Sequence, residues 1–155
     1  MLLTNHTLTG VALGLTIDQP AVLVSAAVAS HLVMDAVPHF GGFEDRRQHP
    51  AFRSPAFLLI GSLDFALSIG VTVVACLIWP WRVGHILLGV FGADLPDLTY
   101  IPIIVFGEKL VNKILPFYPA MIRFLAKIQW SESPAGFVTE VAWAIFMLTA
   151  LNLLR

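Results

Sequence analysis

Histidine and aspartate recur at four-residue spacing in one apolar stretch, as His31, Asp35 and His39. On an α-helix that spacing puts all three on one face, a turn apart. Imidazole and carboxylate groups in such a row are ligands suited to zinc, iron or manganese. A second stretch carries Asp94 and Asp97, three residues apart and again on one face, with Pro96 between them. His6 and Asp64 add one ionisable group each in two further apolar stretches. Carboxylates gathered away from water repel one another and take up protons, a penalty that divalent cations remove. A two-metal centre uses about this many ligands and generates hydroxide at neutral pH. The expected ligand set is therefore His6, His31, Asp35, His39, Asp64, Asp94 and Asp97, holding one or two divalent ions, zinc foremost. Of these, Asp64 or Asp97 is the expected general base, whichever the metal engages less.

The elements that must carry these groups are apolar. The chain is 155 residues long, 57% hydrophobic and only 12% charged, with a mean hydropathy of +0.82. Soluble domains carry roughly 25% charged residues, and a chain this short buries only about two-thirds of its unfolded surface. Lipid resolves that mismatch, so the sequence predicts an integral membrane protein. The net charge of -1 and the lack of a long basic run give no reason to expect nucleic acid as a partner. The single cysteine, Cys76, excludes an intrachain disulfide and a cysteine-rich zinc site. No Lys or Arg stands in the first residues, so the N-terminus is expected to be retained rather than cleaved as a signal peptide.

Proline, glycine and charge divide the chain into apolar segments at residues 4–17, 20–37, 55–78, 83–106 and 134–154. Residues 107–133 interleave Lys109, Lys113, Arg123 and Lys127 with apolar side chains, the pattern of an interfacial helix. No repeat or linker appears. The predicted fold is all-α, a single domain over residues 1–155: a polytopic bundle of four to five membrane helices plus an amphipathic interfacial helix. Segment 4–17 is short for a span and reads as a half-helix buried in protein. With a hairpin turn at Asp18, seven of the nine basic residues fall on one side, and only Arg82 and Arg155 on the other. The positive-inside rule then makes the first side cytoplasmic.

Depths follow from a rise of about 1.5 Å per residue. His6 and His31 then lie ~17 Å from the far face, Asp94 ~18 Å, Asp35, Asp64 and Asp97 ~22–24 Å, and His39 ~28 Å. Four segments thus place seven polar groups in one slab. A lone His or Asp in a membrane helix usually packs and hydrogen-bonds, so it is the set that points to a site. Asp18 reads as a turn residue and cap, His85 as interfacial, Trp79 and Trp81 as an anchor, and Glu140 as ambiguous. Arg46, Arg47 and His49 read as solvated loop residues that could also grip a phosphate above the site.

The motifs Asn5-His6-Thr7 with Gly10, Ser30-His31-xxx-Asp35-xx-Pro38-His39, Asp64, and Gly92-xx-Leu95-Pro96-Asp97 resemble small bacterial membrane proteins grouped with the membrane-bound metal-dependent hydrolases of the inner membrane. The resemblance implies a metal-dependent hydrolase in a multi-pass inner-membrane protein. It departs from that family where Tyr100 stands in place of an expected metal-binding His and where no His-Arg…Thr-His-Ser element follows. Together these readings predict hydrolysis of a phosphoester, a lipid headgroup or lipid-linked phosphate, at the cytoplasmic leaflet. Two rivals use the same residues: an ion, proton or metal transporter, and a structural subunit of a larger membrane complex.

Overall fold

The computed structural model describes residues 1–40, 55–128 and 132–155. Among these the chain is almost wholly helical, in the order α1 (Leu3–Thr16), α2 (Pro20–Ala36), β1 (His39–Phe40), α3 (Pro55–Ile78), α4 (Val83–Leu98), α5 (Ile101–Phe106), α6 (Glu108–Ile114), α7 (Tyr118–Ile128), β2 (Glu132–Ser133) and α8 (Phe137–Leu153). Short 3-10 turns at Pro80–Arg82 and Pro134–Gly136 lead into α4 and α8. The all-α expectation holds, and the apolar segments coincide with α1, α2, α3, α4 and α8.

Local chemistry sets the boundaries. Pro20 occupies the first turn of α2, where its missing N–H costs nothing, and Pro38 follows its end. The segment expected at 83–106 is two helices, because the chain turns at residues 99–100, and Gly107, at φ +76°, ends the second. Pro96 sits inside α4 without ending it. It removes the N–H that would bond the Gly92 carbonyl and loosens that turn.

Helix α1 is the centre of the bundle. Every residue from Asn5 to Val11 is buried, so this helix shows solvent no face over two turns. It packs against α2, α3, α4 and α8. The approach to α4 is at backbone contact: a Cβ at Gly10 would lie 2.6 Å from the Gly89 carbonyl oxygen, and one at Gly14 equally close to that of His85. One half of the interior is apolar, with Leu8, Val11, Ala75, Trp79, Ile86, Met147 and Leu151 in mutual contact. The other half, around the start of α1, is polar: Asn5, His6, Thr7, His31, Asp35, Asp94 and Glu140 are all buried.

The outside is the reverse. Leu59, Leu63, Leu67, Val74 and Leu77 on α3, and Val138, Ile145, Phe146 and Leu148 on α8, are more than half exposed. One described helix, over Leu59–Ile78, is long and apolar enough to cross a membrane, with only 11% of it buried. Helices α2 and α8 are apolar but shorter.

Candidate metal site

Three elements meet at the polar end. The first turns of α1 carry His6, the last turns of α2 carry His31 and Asp35, and the loosened end of α4 carries Asp94 and Asp97. The imidazoles of His6 and His31 stack, with ring centroids 3.8 Å apart and planes 19° from parallel. Each ring is held by its neighbours in one tautomer. His31 Nδ1 lies 2.6 Å from the Ala93 carbonyl oxygen, which can only accept, so Nδ1 carries the hydrogen. His6 Nε2 donates to Asp35 Oδ1 at 3.1 Å.

That leaves His31 Nε2 and His6 Nδ1 as lone pairs, and both are buried without a hydrogen-bond partner. His31 Nε2 faces anionic oxygens instead, Asp35 Oδ2 at 3.2 Å and Asp97 Oδ1 at 3.7 Å. A lone pair aimed at two carboxylates is unfavourable until a cation stands between them. A proton on His31 or a metal ion would relieve that contact, but only the ion would also draw on a neighbouring ring. One ligand atom from each of His6, His31 and Asp97 lies within 4.8 Å of the other two, so this group could hold a metal ion. Two imidazoles and a carboxylate form the donor set of catalytic zinc and non-haem iron sites, which leave coordination positions open. Metal-bound histidines typically donate their second N–H to a carbonyl or carboxylate, as both rings do here. The Asp97 side chain is 29% exposed while both histidines are closed off, so access is from its side.

The other expected ligands are turned to other partners. Asp35 orients the His6 ring, and its Oδ1 also accepts from the Met1 amino group at 2.6 Å. Asp64 was expected among the ligands and as a possible base, yet it caps α1. Its oxygens accept from Leu3 N at 2.6 Å, Thr4 N at 3.0 Å and the Thr4 hydroxyl. Those bonds occupy both oxygens and satisfy helix amides that have no intrahelical partner. Asp94 accepts from Thr7 Oγ1 at 3.0 Å and lies 3.5 Å from Ser68 Oγ, inside a hydroxyl pair 2.6 Å apart. His39 is buried on β1, with Nδ1 donating to the Val37 carbonyl at 2.8 Å. Arg46, Arg47 and His49 lie outside the described residues.

Glu140, ambiguous in the sequence, is the junction of the polar end. Its carboxylate accepts from Leu2 N, from Asn5 Nδ2 at 2.6 Å and from Phe40 N at 3.2 Å, tying α1 and β1 to α8. The sequence does carry a signal for this layer. Thr4, Asn5, His6, Thr7 and Thr9 crowd five polar residues into six positions of an apolar helix, and Ser68 follows Asp64 by one turn. At the opposite end Arg82 Nη1 donates to Asp18 Oδ1 at 2.6 Å, and that hydrogen bond holds the exposed Asp18 carboxyl below its ordinary range.

Searches against family models, curated proteins and solved structures find no match to this chain.

Proposed function

We propose that this chain is a multi-pass inner-membrane hydrolase, dependent on a divalent metal held by His6, His31 and Asp97, and acting on phosphoesters at the cytoplasmic side. One observation carries the reading: two buried, stacked histidines and the half-open Asp97 bring ligand atoms within 4.8 Å of one another, and the unpartnered His31 Nε2 faces two carboxylates. Membrane placement is supported by the inversion of the molecule, ionisable groups inside and apolar side chains outside. Helices too short to cross alone are tolerated where protein surrounds them, as α1 is surrounded.

A divalent cation in such a site supplies Lewis acidity and an activated water. The chain's own groups do the positioning. Ala93 and Asp35 fix the ring orientations, Asp35 disperses the charge that gathers on the imidazoles, and the exposed side of Asp97 is where substrate enters. The membrane interface brings a lipid phosphoester to that side, and zinc is the metal that the donor set and hydrolysis favour together. Against a transporter, the apolar cluster from Leu8 to Leu151 fills the half of the bundle beneath the site and offers an ion no polar path among the described residues.

Metal content of detergent-purified protein, by inductively coupled plasma mass spectrometry, tests the reading. Parent protein is expected to carry about one zinc per chain, with His6→Ala, His31→Ala and Asp97→Asn each losing affinity on the order of 10- to 100-fold or more. Asp64→Asn is expected to keep its metal. A metal-free parent prepared without chelators would sink the proposal and leave the polar cluster as a structural network.

A further inference from the structure

Helices α5 and α6 enclose an apolar groove of about 320 Å³, lined by Pro102, Phe106, Leu110, Val111, Ile114 and Leu115. The groove has a geometric relation to the site. Only residues 99 and 100 separate α4, which ends one residue after Asp97, from α5, which forms one wall. The Tyr118 hydroxyl donates to the Thr99 carbonyl, pinning the start of α7 to that same join. Pro102, at one end of the groove lining, thus follows Asp97 by five residues of chain.

Its charge is distinctive too. Residues 101–128 carry four cations, Lys109, Lys113, Arg123 and Lys127, against a single acid, Glu108. All four cations are exposed. Lys109 and Lys113 stand one turn apart on α6, which supplies Leu110, Val111 and Ile114 to the groove, with Leu115 just beyond its end. The long apolar helices α3 and α8 carry no Lys or Arg at all. An apolar slot beside a doubly cationic helix face matches a molecule with a hydrocarbon chain and a negative head.

We infer that this groove is a binding site for an anionic membrane phospholipid, with an acyl chain along the α5–α6 wall and the phosphate at Lys109 and Lys113. Neutral lipids cover α3 and α8 without preference, whereas the α5–α6 groove selects by headgroup charge. The inference rests on the membrane placement of the chain, and not on its being a hydrolase. If the chain hydrolyses a phosphoester, the same groove delivers a lipid phosphate to the Asp97 side.

The test is photocrosslinking in lipid nanodiscs. Phosphatidylglycerol and phosphatidylcholine carrying the same diazirine-tagged acyl chain are compared, and adducts are mapped by peptide mass spectrometry. Adducts on residues 102–115 are expected to form about tenfold more from phosphatidylglycerol, and Lys109→Glu/Lys113→Glu is expected to abolish the difference. Labelling of α3, as the internal reference, should be equal for both lipids and unchanged by the variant, which shows the bundle intact. Equal labelling of residues 102–115 by the two lipids, or a preference that survives the double charge reversal, would overturn the inference. His31→Ala separates the two proposals: retained labelling in a protein that binds no metal and hydrolyses nothing keeps the groove whatever becomes of the enzyme.

Discussion

Glu140 shows how much one buried carboxylate can organise. Two oxygens receive three donors from separate parts of the chain: the Leu2 amide, the Asn5 side-chain amide and the Phe40 amide. A carboxylate can do this because it only accepts; an amide of the same shape turns one oxygen into a donor that faces other donors. Glu140→Gln is therefore expected to destabilise the protein by about 1–3 kcal/mol, the cost of a buried group left unsatisfied. Thermal unfolding in detergent measures it, and an unchanged melting temperature would remove Glu140 from this role. At this scale the sequence was only half legible. Spacing within one helix identified His31 and Asp35 and the pair Asp94 and Asp97. It could not distinguish Asp97, whose oxygen joins the histidines, from Asp64, whose oxygens cap α1. Depth alone put both in the slab; which way each carboxylate turns depends on contacts across some sixty residues of sequence.

Among the elements, α1 and α4 meet at backbone contact. At Gly10 and Gly89 the two backbones touch, and neither position admits a Cβ without displacing main chain. Gly10→Val is expected to cost at least about 1–3 kcal/mol, because overpacking against backbone has no flexible side chain to yield. Gly70 on α3 is the contrast, with nothing within 4 Å of its would-be Cβ. Gly70→Ala should stay within about 1 kcal/mol of the parent, helix propensity favouring the alanine. Comparing the melting temperatures of the two variants checks both statements. The helix boundaries were legible because proline and glycine write them locally: Pro20, Pro38 and Gly107 each mark an end that the structure respects. The burial of α1 was legible in its length, since segment 4–17 is too short to span and reads as a half-helix buried in protein. Which helices enclose it was not, because an apolar period does not name a helix's neighbours.

For the whole molecule, the elements run so that both ends have a distinct character. Asp18, Trp79, Trp81 and Arg82 gather at the apolar end, near Leu154, and α5 to α7 with their cations adjoin the site end. On the proposed topology these ends face opposite sides of the membrane. Single cysteines placed at Trp81 and at Lys113, in a Cys76→Ser background, are expected to react with a membrane-impermeant maleimide from opposite sides: position 81 from outside intact cells, position 113 only after lysis. Labelling of both from the same side would exclude the proposed topology. Composition points the same way for the chain as a whole, since 12% charge is about half of what soluble domains carry.

The cap on α1 also has a consequence in time. The amides of its first turn find their acceptors on Asp64, 61 residues later, and on Glu140, 138 residues later. At a synthesis rate of ~5–20 residues per second, the partner on α8 arrives about 7 to 28 s after α1 leaves the ribosome. The helix at the centre of the bundle thus waits for the last acceptor of its opening turn until α8 has been made. On the proposed membrane placement, that turn is sheltered until then by lipid headgroups or by the insertion machinery, and a chain truncated before α8 is expected to be held there and cleared by membrane proteases.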